Sequence, residues 1–144
     1  PLIAILDEAL GIEKAILNSH DPYITYQYAR HVIKGRWPEG EETIKKRPGV
    51  VYRYAFYVIK GRWPEGEEAI KKDSNFRTII NYAKDVIKGR WPEVEEILKT
   101  DPYSAYQYAR NIFKGRWPEG EEAIKKDHVW WSSYTKYIKR QQKD

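Results

Sequence analysis

The chain of 144 residues contains neither cysteine nor methionine. Without cysteine it can form no disulfide, no thiolate zinc site and no cysteine nucleophile. It also lacks a long run of one charge: 26 basic and 21 acidic residues alternate in short blocks, so the net charge of +5 does not require a nucleic-acid partner. The longest opening apolar run, Leu2 to Leu6, stops at Asp7, so we expect a soluble protein with neither a signal peptide nor a membrane partner.

Aromatic residues, by contrast, are abundant, with twelve tyrosines and six tryptophans. Four of the tryptophans lie in segments that align without a gap and read Ile/Phe-Lys-Gly-Arg-Trp-Pro-Glu-x-Glu-Glu. The spacings between successive segments are 26, 28 and 26 residues, and two extra residues, Asp73 and Ser74, lengthen the middle one. Internal repetition at this period predicts a repeat protein. The tryptophans are Trp37, Trp63, Trp91 and Trp117.

Each unit predicts two short helices. The first begins at Asp21-Pro22, Arg47-Pro48, near Ser74-Asn75 or at Asp101-Pro102, where Asp, Ser or Asn can cap the helix and proline fits its first position. It carries apolar residues at helical spacing around a Tyr-Ala pair. Proline after tryptophan opens the second helix, where glutamates in the first turn and lysines in the last complement the helix dipole. Between the two helices, we expect glycine to form a left-handed cap of the first one. These glycines are Gly35, Gly61, Gly89 and Gly115.

Degenerate copies flank the four units. Ala15-Ile16 stands in register with Ala69-Ile70, so residues 2–18 are predicted to form a pair of helices around Gly11. Residues 127–138 align with residues 101–112 but lack the Gly-Arg-Trp-Pro block. We therefore expect an all-α solenoid of about eleven short helices in one domain over 1–144, with an N-terminal cap over 1–20, four repeats over 21–126, and a C-terminal capping helix with a basic tail over 127–144.

The Lys-Gly-Arg-Trp-Pro-Glu-x-Glu block, preceded by Tyr-Ala-x-x-Val, resembles a short tandem helical repeat of uncharacterised phage and bacterial proteins. There, Lys-Gly-Arg-Trp-Pro-Glu-Ala-Glu runs recur, and the likeness covers about residues 21 to 126. This chain departs by carrying Gly40, Gly66, Gly120 and Val94 where alanine is usual, and we expect the glycines to mark a close approach of a neighbouring helix. The resemblance implies a phage source and, with it, the host cytoplasm. It implies no activity.

The repeated residues admit two interpretations each. The tryptophans are either core residues at the turn or a ladder of stacking platforms. The tyrosines either line the core or present their hydroxyls along an aromatic groove. Trp130 and Trp131 break the pattern, and we expect one to fill the end of the core and the other to be exposed. The tyrosines are Tyr28, Tyr54, Tyr82 and Tyr108.

The basic residues beside each glycine either track phosphates or serve the fold, with each arginine paired to a glutamate of an adjacent unit or lying on the tryptophan face. We favour pairing within the chain, with Glu39, Glu65, Glu93 and Glu119 or their neighbours. The Glu-x-Glu-Glu clusters are interpreted as solvated acids rather than a cation site. The basic pairs are Lys34 and Arg36, Lys60 and Arg62, Lys88 and Arg90, and Lys114 and Arg116.

These patterns together favour a binding protein over an enzyme, with no cofactor and no metal. No sequence motif of a hydrolase, nucleotide-binding loop or metalloprotease is present, and His20, His31 and His128 have no partner at ligand spacing. We expect a non-catalytic protein-binding scaffold, if of phage origin one that acts on a host protein. The alternative is binding of a nucleic-acid backbone through the Lys-Gly-Arg stripe and the basic tail. A homo-oligomer is compatible with either function.

Overall fold

The computed structural model describes residues 1–143, which form two compact units: Pro1–Lys72, and the residues from Asp73 onward. The boundary coincides with the two-residue insertion in the middle of the repeats. The first unit contains α1 (Leu2–Ser19), α2 (Pro22–Tyr28), α3 (Pro38–Ile44), α4 (Pro48–Arg53) and α5 (Pro64–Lys71). The second contains α6 (Phe76–Tyr82), α7 (Pro92–Leu98), α8 (Pro102–Tyr108), α9 (Pro118–Ile124) and α10 (His128–Gln142).

The described residues form helices and no strand, which confirms the predicted all-α repeat fold. Within the first unit, α2 packs on α3 and α4 packs on α5, so each first helix contacts the second helix of its own repeat. The same pairing joins α8 to α9 in the second unit. First helices of successive repeats also pack on each other, α2 on α4 and α6 on α8. Because helices of this length are marginal alone, this packing supplies their stability.

The helix starts follow the sequence signals. The carboxylate of Asp21 accepts hydrogen bonds from the backbone N–H groups of Tyr23 and Ile24 at 2.9 and 3.0 Å. Asp101, Asp127 and Asn75 cap their helices in the same way. Each second helix of a repeat has proline at its first position, where the missing N–H is not needed.

Each first helix continues into a π-helical turn, and here the predicted glycine cap is wrong. The residue with left-handed backbone is the preceding lysine, with φ of 60° at Lys34 and 63° at Lys88, and no described glycine has a positive φ. The carbonyl of Ala29 accepts from the N–H groups of both Lys34 and Gly35, at 2.7 and 3.3 Å, so the chain reverses one residue before the glycine. The turns span Ala29–Ile33, Tyr54–Ile59, Ala83–Ile87 and Ala109–Phe113.

The predicted N-terminal pair of helices is instead the single helix α1, so the described residues contain ten α-helices rather than about eleven. Gly11 does not end the helix because neither a proline nor a capping residue follows it, and an interior glycine costs only about 1 kcal/mol. None of the residues of α1 is fully buried.

Glycine in the second helix permits the close approach that the sequence predicted. A β-carbon at Gly66 would lie 2.5 Å from Cε3 of Trp63 and 2.8 Å from Cγ1 of Val51 in α4. The indole and the first helix therefore lie directly against the backbone of the second helix. In the third repeat, Val94 occupies this position and is itself buried.

Candidate functional site

The repeated tryptophans are core residues, in agreement with the interpretation that they pack at the turn rather than form stacking platforms. Trp37 is 4% exposed, and the other three are at most 1% exposed. Each indole packs on the tyrosine of its own repeat, with ring centroids 4.9 to 5.2 Å apart. None of them presents a ring to a ligand as a stacking platform would.

The hydroxyls of the repeat tyrosines join consecutive repeats within a unit. Tyr54 accepts a hydrogen bond from the backbone N–H of Trp37 at 2.8 Å and donates one to the carboxylate of Glu41 at 2.8 Å, both in the preceding repeat. Tyr108 makes the same two bonds, at 2.8 Å to Trp91 and 2.7 Å to Glu95. We call this arrangement the tyrosine staple. Since the hydroxyls are consumed in it, these tyrosines do not line an aromatic groove.

Both degenerate ends keep their half of the tyrosine staple. Tyr134 of α10 accepts from the N–H of Trp117 at 3.0 Å and donates to Glu121 at 3.1 Å. At the other end, Tyr28 is half-buried and donates to Glu13 of α1 at 3.2 Å. Tyr82, in the first repeat of the second unit, is fully buried.

Each repeat arginine forms a two-pronged pair with a glutamate five residues later in the same repeat. Arg90 donates through Nε and Nη2 to the two oxygens of Glu95, at 3.0 and 2.7 Å. The partner therefore lies in the same repeat and not in an adjacent one. It is not the glutamate three residues after the arginine, such as Glu93, but a neighbour of that residue, Glu95. The turn between the helices brings the guanidinium over the first turn of the second helix. The other pairs are Arg36 with Glu41, Arg62 with Glu67, and Arg116 with Glu121.

The partners of the glutamate at the centre of the staple stabilise its ionised form. Burial alone would raise the pKa of Glu95, but hydrogen bonds from Arg90 and Tyr108 outweigh burial and hold the pKa below its usual range. Burial and the neighbouring carboxylate raise the pKa of Tyr108, although the hydrogen bond from Trp91 opposes this. Arginine, glutamate and tyrosine therefore satisfy one another in a charged network within the fold.

The lysines of the Lys-Gly-Arg blocks have a different environment from the arginines. Lys34, Lys60, Lys88 and Lys114 are exposed. In the first unit, Lys34 and Lys60 border a shallow pocket of about 350 Å³ together with Arg30 and Tyr57. The Arg30 guanidinium lies 3.9 Å from the centroid of the Tyr57 ring. This pocket brings three cationic side chains of the first unit together.

An open groove of the second unit lies between α6 and α8 and has a volume of about 770 Å³. Side-chain amides of Asn81, Gln107 and Asn111 line it, and Asn111 donates to the side-chain oxygen of Gln107 at 2.8 Å. Sequence patterns did not indicate these residues. Asn81 and Gln107 hold one position of the first helices, where the other repeats have Gln27 and Arg53, whereas Asn111 aligns with His31, Tyr57 and Asp85. Only their shared place on helices that pack side by side could have indicated the groove.

The paired tryptophans near the C-terminus are both partly covered, so the expected exposed member is absent. Trp130 packs on Tyr103 and Tyr106 of α8, with ring centroids at 4.5 and 5.7 Å. Trp131 packs on Tyr134 at 5.5 Å, and the Lys125 ammonium lies 5.1 Å from its ring. Trp130 therefore joins an aromatic cluster with Tyr103 and Tyr106, and its role in binding stays a prediction.

Comparisons with known proteins add no assignment. No protein-family model, curated protein or solved structure matches the chain. The resemblance to the phage and bacterial repeat therefore stays a prediction. In residues 1–143, no cluster of acidic and histidine side chains is placed to hold a metal ion. A search of the same residues finds no helix with the length and apolar character needed to cross a membrane.

Proposed function

We propose that the protein is a non-catalytic scaffold that binds an extended segment of another protein in the groove between α6 and α8. The observation that carries the proposal is the amide lining of this groove, at Asn81, Gln107 and Asn111. An amide side chain offers both donors and an acceptor, which matches the alternating N–H and C=O groups of an extended backbone.

The groove also favours a particular side-chain chemistry in its ligand. Arg77 and Lys84 line it, whereas the carboxylate of its one acidic residue, Asp101, already caps α8. Phe76 and Tyr103 supply aromatic surface beside these cations. The ligand we propose is therefore an extended peptide with acidic residues next to an apolar one.

Binding of a fluorescent peptide library, measured by anisotropy, tests this function. We expect selection of acidic peptides with an apolar neighbour, and Asn81→Ala should weaken the selected peptide about fivefold, the effect of one hydrogen bond of about 1 kcal/mol. Gln27→Ala is the matched control, because Gln27 holds the same repeat position in the first unit. Equal loss in both variants, or no sequence selection, would refute the groove as the binding site.

A second function, binding of a nucleic-acid backbone, is favoured by one observation in the first unit. Lys34, Lys60 and Arg30 line one pocket, whereas Arg36 already donates two hydrogen bonds to its glutamate. Affinity for mixed-sequence DNA or RNA would then fall steeply with salt, and Lys34→Glu with Lys60→Glu would remove it. We expect no such binding. Tight, salt-sensitive binding by the unmodified protein would reverse the order of the two proposals.

A further inference from the structure

Helix α1 exposes an apolar surface that the first unit leaves uncovered. At 3.6 residues per turn its large apolar residues occupy one half of the helix circumference, with Asp7 and Glu8 at the two edges. Their exposed fractions range from 53% at Leu6 and Ile12 to 76% at Ile3. The set comprises Leu2, Ile3, Ile5, Leu6, Leu10 and Ile12.

By register and by contact, α1 is the second helix of a repeat. Glu13 accepts the hydroxyl of Tyr28, just as Glu41 accepts that of Tyr54. Ile12 then stands where three of the four repeats have a glycine, and a β-carbon at Gly40 would lie 2.5 Å from Thr25 of α2. The uncovered face around Ile12 is therefore the face on which a first helix packs.

Helix α10 is the converse, since it aligns with the first helix of a repeat and the described residues contain no second helix after it. Tyr134 completes the tyrosine staple with the preceding repeat. Helix α8 packs on α9, and Ala105 of α8 and Ala109 of the turn that follows it are fully buried. The corresponding residues of α10, Trp131 and Thr135, remain partly exposed.

The two incomplete repeats complement each other in shape and charge. Ala9 of α1 stands where every repeat has tryptophan, while Trp131 of α10 packs on Tyr134 as the repeat tryptophan packs on its tyrosine. Trp131 of α10 thus supplies the indole that α1 lacks at this position. Residues 128–143 carry Lys136, Lys139, Arg140 and Lys143 and no acid, whereas α1 carries three acids and one lysine.

We propose that α10 of one copy packs against the apolar face of α1 of a second copy, and that the two helices form a composite repeat. The interface joins different surfaces of the two copies, so each added copy presents a new free end. The protein then associates head to tail, with a mass that increases with concentration. This association is independent of the groove between α6 and α8.

Light scattering after size-exclusion chromatography tests the proposal with two blocked variants. Ile5→Glu with Ile12→Glu places charges on the α1 face, and Thr135→Glu with Lys139→Glu does so on the α10 face. We expect unmodified protein to grow beyond a dimer as concentration rises, each variant alone to be monomeric, and an equimolar mixture of the two to form a heterodimer. Ala4→Glu, on the polar side of α1, and Val129→Glu, at an exposed position of α10 away from Thr135 and Lys139, are the matched controls and should still associate.

Other outcomes overturn the composite repeat. A dimer formed by the α10-blocked variant alone would show that two α1 helices pair with each other. A monomer at every concentration of the unmodified protein would show that the α1 face does not bind α10. Circular dichroism of each variant establishes that it is folded, so that loss of association reports on the interface.

Discussion

Replacing Tyr108 with phenylalanine removes a single hydroxyl from the core of the second unit and leaves the ring in place. The hydroxyl accepts from the N–H of Trp91 and donates to Glu95, and Tyr108 is fully buried. Its loss therefore leaves a buried backbone N–H without a partner and removes a hydrogen bond to a charged group. Because each of these two effects costs about 1 to 3 kcal/mol, we expect the free energy of unfolding to fall by about 2 to 6 kcal/mol.

Urea denaturation followed by tryptophan fluorescence and by circular dichroism measures this change. Tyr103→Phe is a matched control in the same helix, because the Tyr103 side chain is 44% exposed and surface hydroxyls remain solvated in both states. We expect the control to differ from the unmodified protein by less than about 0.5 kcal/mol. A Tyr108→Phe variant as stable as the control would refute the reasoning, since the staple would then contribute nothing net to stability.

Three other changes test the remaining features of the repeat. Trp63→Ala should lower the free energy of unfolding by about 3 to 5 kcal/mol in the same assay, because it empties a fully buried aromatic site; a loss below about 1 kcal/mol would contradict a core role. Lys88→Gly should stabilise the protein by about 0.5 to 1 kcal/mol, since its φ of 63° strains any residue with a β-carbon, whereas Lys88→Ala should bring no gain. Stability should also fall as pH drops below about 4.5, the ordinary pKa of a glutamate, because the folded-state pKa of Glu95 lies below that value. It should fall again as pH rises above about 10, the ordinary pKa of a tyrosine, because the folded-state pKa of Tyr108 lies above that value. Urea midpoints across pH would show flat behaviour at both extremes if the staple did not form.

Local signals in the sequence predicted the helices well. Proline after tryptophan, the capping aspartates and the helical spacing of apolar residues each act over a few residues, and the structure places helices at these signals. The π-helical turn was not predicted because it shifts the cap by only one residue, from Gly35 to Lys34. No feature of the composition distinguishes a helix that ends at the lysine from one that ends at the glycine. The prediction of two helices in place of α1 is wrong for a related reason. Gly11 was expected to end a helix although no proline follows it.

The candidate site was harder to predict because its contacts join residues from different helices. The sequence indicated that the arginines pair within the chain but could not show that the turn selects Glu95 over Glu93 for Arg90. The tyrosine staple had one readable signal: the degenerate N-terminal copy keeps Glu13, and the C-terminal copy keeps Tyr134, although both lose most of the repeat. Each end therefore retains the residue that its neighbouring repeat needs.

The tyrosine staple also bears on how the chain folds. Its bonds join residues only 13 and 17 positions apart, as from Tyr54 to Glu41 and to Trp37. Closing so short a loop costs little chain entropy, and contacts of low sequence separation are characteristic of fast-folding proteins. A repeat and its neighbour can therefore nucleate together without the rest of their unit, and the structure can spread by adding one repeat at a time. The hydroxyl that joins two repeats thus also lets folding begin at more than one point along the chain.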